Sequence, residues 1–243
     1  MTHSRKPTQI LAYLFCICLF VSGCDNQPKD EKVNTERPHQ KSELANDMST
    51  LELPLRLAFM SGHVQAGLAL YKLGEMEMAA PHLLHPISEM HKAERVGLQK
   101  LGLDVVSFVA VSAALEARRA SFEIEPLLSQ ADSNLQMLAD RAGGDPAEII
   151  MFLLELIIQE YSIAITDGRI VDIGEYQDAY GFHLVAMMHA KKLPEEIRSK
   201  VTKSLSGLGS LWMDGPKPVT NPTSKDLMTA SINSIMDLLD NIN

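Results

Sequence analysis

Four of the chain's eight histidines, His63, His82, His85 and His91, fall within 29 residues of one another. Imidazoles suit borderline transition metals, and a carboxylate among them favours iron or zinc. On a helix, at about 100° per residue, His82, His85 and Glu89 share an arc of about 60°, whereas His91 points the other way. His63 and His85 each lie eleven residues from Gly74, on opposite sides of it. An antiparallel hairpin turning at Gly74 sets both about 16 Å from the turn, level with each other. Gly67, one turn from His63 on the same face, lets the two helices approach closely. His63, His82, His85 and Glu89 are therefore the candidate metal ligands, with iron favoured as the metal.

Pro86 complicates that stripe, because it removes the hydrogen bond to residue 82 and bends the helix after His85. The bend either aims His85 inward or throws Glu89 off the stripe, and His91 is then the substitute. The same histidines also have plainer uses, as capped and hydrogen-bonded core residues or as solvent-facing ones. Two rivals to a transition-metal site thus stay open: a metal-free helical scaffold that binds a partner protein, and a bis-histidine haem protein.

A second region runs from Glu160 to Asp178. Its sequence is Glu160-Tyr161, five residues, Asp167-Gly168-Arg169-Ile170-Val171-Asp172, two residues, then Glu175-Tyr176-Gln177-Asp178. An aromatic near a helix end, an Asp-Gly turn, a branched aliphatic pair and an acid-Tyr opening the next helix make up the pattern. It resembles the periplasmic helical region of bacterial Ftr-type iron permeases. The multi-pass helices and paired-glutamate iron motifs of those permeases are absent, so the resemblance implies a stand-alone periplasmic piece that does not itself transport. Nearby, Gly67-(x3)-Tyr71-Lys72-Leu73-Gly74-(x4)-Ala79 resembles the helix–turn–helix core of a tetratricopeptide repeat. No second copy follows at the spacing a solenoid needs.

Two further residues rank behind the cluster as ligands. Glu155 sits in an apolar run, in line with Glu148, Gln159 and Ser162. That stripe reads as the solvated side; an interior place would make Glu155 a ligand instead. His183 shares a narrow helical face with Tyr176, Tyr180 and Met187, a face that reads as core. The thirteen methionines contain no Met-x-x-Met run and read as packing. Neither a phosphate loop nor a nucleophile elbow nor a His-Glu-x-x-His helix is present, so no catalytic residue is assigned and the chain is read as non-enzymatic.

The start of the chain supplies an address. Arg5 and Lys6 precede twelve apolar residues at 10–21, too few for a span of roughly 20. Phe20-Val21-Ser22-Gly23-Cys24 resembles a lipobox, which implies cleavage before Cys24, lipid (a palmitate-type anchor) on its thiol and export to the periplasm. Asp25 resembles the signal that retains lipoproteins at the inner membrane. Removal of residues 1–23 takes away Arg5, Lys6, Cys16 and Cys18, so the formal charge goes from −9 to −11 and no free thiol remains. An acidic body disfavours nucleic acid and broad contact with anionic lipid, which leaves the lipid anchor as the membrane contact.

Residues 24–48 are polar and charged, with too little apolar surface to fold, and read as a flexible tether. Residues 49–243 show apolar positions at intervals of three and four, punctuated by Gly74, Gly143-Gly144, Asp145-Pro146, Asp167-Gly168 and Pro194. The expectation is an all-α antiparallel bundle of about eight helices, near 53–73, 75–92, 103–121, 124–142, 146–166, 173–191, 194–212 and 223–241. The function expected of it is to bind or hand on a transition metal beside an inner-membrane transporter or redox partner.

Overall fold

The structure, a computed structural model, describes residues 50–85, 88 and 95–241. Cys24, Asp25, the tether, Glu89 and His91 lie outside the described residues. Within them the chain is all-α, with nine helices and one two-residue β-ladder. The helices are α1 (Leu53–Lys72), α2 (Met76–Leu84), α3 (Leu98–Leu101), α4 (Val105–Glu116) and α5 (Ser121–Ala142), followed by α6 (Pro146–Ala164), α7 (Ile173–Ala190), α8 (Glu195–Gly209) and α9 (Lys225–Asp240).

Local chemistry explains most of the boundaries. Asp104, Asp145, Asp172 and Ser224 cap α4, α6, α7 and α9 by accepting backbone N–H bonds from Ser107, Ala147, Glu175 and Leu227. Pro146 follows its cap at the first helical position, where its missing N–H costs nothing. The α-helix of α2 stops at Leu84, short of the expected 75–92. Pro86 has no N–H to offer the His82 carbonyl, which instead accepts the N–H of His85. The expected break before 103 contains the short α3, framed by Gly97 and Gly102 at φ 93° and 107°.

The Asp-Gly turn expected at 167–168 is a hairpin turn between two short strands. Both residues have positive φ, 51° and 70°, and they join β1 (Ile165–Thr166) to β2 (Arg169–Ile170) in register Ile165↔Ile170. Two successive positive φ values are the signature of the hairpin turn whose twist matches paired strands. The Asp-Gly pair therefore makes a small antiparallel hairpin between α6 and α7.

Two apolar cores result. One lies among α6, α7, α8 and α9, with Leu153, Ile157, Phe182, Leu205 and Ile232 fully enclosed, and it takes in Ala58 and Phe59 of α1. The other lies among α1 to α5, with Met60, Val64, Leu83, Phe108 and Leu138 enclosed. α1 contributes to both, and twelve of its twenty residues are buried. No described helix is long and apolar enough to cross a membrane.

Candidate metal centre

Close helix crossings set the site. A Cβ added to Gly62 would fall 2.1 Å from the Phe182 ring, and one added to Gly181 would fall 2.1 Å from the Gly62 carbonyl oxygen. α1 and α7 therefore touch backbone to backbone, which no larger residue permits. On the other flank, a Cβ on Gly67 would lie 2.7 Å from Leu83 and 3.0 Å from the Ala79 carbonyl, so α1 and α2 are also tight there. These crossings bring His63 of α1, His82 of α2 and Asp178 of α7 together.

Asp178 Oδ1 lies 2.7 Å from His63 Nδ1 and 2.8 Å from His82 Nδ1. All three residues are buried. Burial alone acts to raise the Asp178 carboxyl, but the charges and hydrogen bonds of His63 and His82 overcome it and hold the group far below the usual carboxylate range. For His82, burial acts to lower the imidazole, and the Asp178 carboxylate with the Gln177 hydrogen bond raises it on balance. His82 Nε2 meets Gln177 Oε1 at 2.8 Å, and Gln177 Nε2 in turn donates to Met78 Sδ at 3.3 Å. The ring of His63 packs edge-on against Phe59 at 4.7 Å and Phe182 at 5.4 Å. Its Nε2 is buried without a hydrogen-bond partner among the described residues.

Two imidazoles and one carboxylate are a donor set that ferrous iron or zinc accepts. One ligand atom from each residue lies within 4.8 Å of the other two. Bonds of about 2.0–2.1 Å to one ion separate neighbouring ligand atoms by about 2.9 Å in an octahedron and about 3.4 Å in a tetrahedron. The observed 2.7 and 2.8 Å are charge-assisted hydrogen bonds. A cation is held there once the protons leave and the three ligand atoms, now within 4.8 Å of one another, adjust to those octahedral or tetrahedral spacings.

The remaining sequence candidates fall in different places. His85 caps the end of α2 with its ring stacked on His63, centroids 3.6 Å apart and planes 12° apart. Stacked rings hold their in-plane lone pairs parallel, so His85 lies beside the cluster and does not converge on its centre. Glu155 is exposed, on the solvated side of α6. His183 is buried away from the cluster, stacked on Trp212 at 5.8 Å and pushed down by burial to about 4. Asp178 and Gln177 were not among the sequence candidates. The available signal was that Asp178 shares a stripe with Gly181, Phe182 and Val185, a face too apolar for a carboxylate without a cationic partner. Glu160, buried in α6, was missed as well. Burial, a hydrogen bond with Glu175 and the charges of Glu175, Asp178 and Asp172 push it up to about 10.

The helices on the Asp178 side of this cluster form the segment that comparison with known proteins identifies. Residues 144–242 match the family model of the iron permease-associated 4-helix bundle domain. The match takes in α6, α7, α8 and α9, less than half of the chain, and agrees with the likeness of residues 160–178 to Ftr-type permeases. No curated protein and no solved structure matches the chain. The matched segment supplies Asp178 and Gln177, while His63 and His82 come from helices outside the match.

Proposed function

We propose that the protein is an accessory of iron uptake that takes ferrous iron as cargo at His63, His82 and Asp178 and hands it to a membrane transporter, without catalysing a reaction. The observation that supports this reading is the convergence of two buried imidazoles and a buried carboxylate from three helices, one of them in an iron permease-associated bundle. Cys24 would hold the protein by lipid at the periplasmic face of the inner membrane, with Asp25 directing it there. Cys24→Ala is then expected to leave the chain unprocessed and unlipidated, read by fractionation and mass, and Asp25→Ser to shift it toward the outer membrane.

Titration of the purified protein with Fe(II) under anaerobic conditions, and with Zn(II), tests the site. One saturable equivalent is expected, with its affinity lowered in His63→Ala, His82→Ala and Asp178→Asn. Binding is expected to weaken as pH falls, because a protonated imidazole cannot ligate, and the raised His82 places that loss above the ordinary value of 6.5. Absence of saturable binding overturns the reading.

One observation favours a second reading. The 2.7 and 2.8 Å contacts already satisfy Asp178, so the triad also works as a metal-free clamp pinning α1 and α2 to α7. In that case the body is a scaffold for a partner protein, and the same substitutions change stability alone.

A further inference from the structure

His63 and His82 share one carboxylate oxygen, but their far nitrogens meet different surroundings. Gln177 Nε2 lies 3.3 Å from Met78 Sδ. A thioether sulfur only accepts, so this contact decides which end of the amide faces Met78. The amide oxygen is thereby turned toward His82 Nε2, 2.8 Å away. Because that oxygen also only accepts, His82 keeps a hydrogen on Nε2. Once it gives up its other proton, its lone pair lies on Nδ1, the atom that faces Asp178. His63 has the opposite situation. Its Nε2 is buried with no partner among the described residues, and its ring leans on His85.

We infer that the two histidines are unequal: Gln177, oriented by Met78, is a positioning residue that fixes His82 as an Nδ1 donor, whereas His63 has no such support and is the ligand that exchanges. The inference rests on the cation site proposed above. A ligating imidazole whose far N–H is held by an acceptor is oriented and more basic, and losing that acceptor typically lowers metal affinity about 10–100-fold. The fixed ligand and the loose one would give a cargo site both a grip and a way to release.

Zn(II) affinity together with nitrogen-15 NMR of the histidine rings tests this, using the full chain with and without zinc. Gln177→Leu is expected to weaken Zn(II) binding by about 10–100-fold. Gln177→Glu, which keeps an acceptor at the same reach, is expected to recover most of that loss. In the metal-free parent, the His82 Nε2–H should be visible and slow to exchange, and that signal should vanish in Gln177→Leu. His63→Ala should mainly speed zinc release, with His82→Ala costing more affinity. A bare Nε2 on His82 in the parent overturns the inference, as does a Gln177→Leu affinity equal to the parent's. Equal losses from His63→Ala and His82→Ala overturn the asymmetry. If the parent binds no zinc, the cargo reading falls, and the metal-free NMR still decides what Gln177 does.

Discussion

In α8 and α9, inside the matched bundle, the buried residues are Val201, Leu205 and Leu208, then Met228, Ile232, Ile235 and Leu239. Each set is one stripe at intervals of three and four, and the other faces stay in water. α1 is different. Its twelve buried residues go round the helix and include Arg56 and His63. A polar group on a striped helix can turn to solvent, but one on an enclosed helix needs a partner from the protein. Arg56 finds the Val96 carbonyl 40 residues on in the chain, and His63 finds Asp178, 115 residues away. The candidate site therefore belongs to the seam between the two groups of helices. Neither the bundle nor the helices before it contains it alone.

The largest effect is expected from Asp178→Ala. If the seam is dry, this change strands two imidazoles beside an empty space, and breaking a buried pair from one side costs about 3–5 kcal/mol. Urea unfolding of the metal-free protein measures it. A loss under about 1 kcal/mol, the range of solvated pairs, would show that water reaches the seam. Replacing His63, His82 and Asp178 together by leucines should recover most of the loss, since exchanging a whole buried ionic group for apolar side chains is often close to neutral.

Gly181→Ala probes the crossing that makes the seam. The new methyl would meet the Gly62 carbonyl oxygen at 2.1 Å and the Ala66 backbone nitrogen at 2.9 Å, so α1 and α7 must separate. Overpacking of this kind costs about 1–3 kcal/mol or more. Metal affinity should fall with it, because the ligands sit on the helices that part. A variant that unfolds normally yet binds Zn(II) unchanged would mean that the crossing does not set the site.

How much of this was readable beforehand divides along the same line. The striped helices, with Asp145-Pro146 and the Asp-Gly turn between them, announce themselves through local periodicity and capping, so their positions follow from sequence. His63 and His85 could be paired because each lies eleven residues from Gly74, where the hairpin turns, and their rings do stack; His82 follows from sharing the face of His85 one turn earlier. Asp178 could not be found in that way. Its partnership depends on a crossing at Gly62 and Gly181, two small residues far apart in sequence, and no periodic signal encodes which helix a third helix will meet. The β-ladder was hidden for another reason: an Asp-Gly pair serves both a helix end and a hairpin, and only the paired backbone separates the two.

pH tests the buried acids of the bundle against the imidazoles of the seam. Glu160 holds its proton up to about 10 when folded and to about 4.5 when unfolded. Its contribution is therefore full below 4.5 and lost as pH rises through the folded value. The raised His82 has the same sign, with its loss beginning above 6.5. His183 and His189, both lowered to about 4 by burial, with Lys192 adding to the second, contribute stability above 6.5 that is lost as pH falls. Asp178 loses its contribution only in strong acid. Between roughly pH 7 and 9, stability should fall by up to about 1.4 kcal/mol per unit for one such proton. Glu160→Gln keeps a donor toward Glu175 without the titration, so urea midpoints across that range should flatten. An unchanged slope would assign the loss to His82 and the seam.

The smallest expected effect lies at Gly168, where stability should change and the metal site should not. Its φ is +70°, and a Cβ there would meet no atom within 4 Å. Gly168→Ala therefore adds left-handed backbone strain and no collision, which costs roughly 1–2 kcal/mol for an L-residue. Gly168→Asn should cost less, because a short polar side chain tolerates that conformation. Gly181→Ala meets backbone and moves two helices; Gly168→Ala strains only the hairpin joining α6 to α7. Urea unfolding should register the small loss, and Zn(II) affinity should stay at the parent value. If affinity falls as well, the hairpin is part of what places Asp178 opposite His63 and His82, and the geometry of the seam is set from inside the bundle as well as at the crossing.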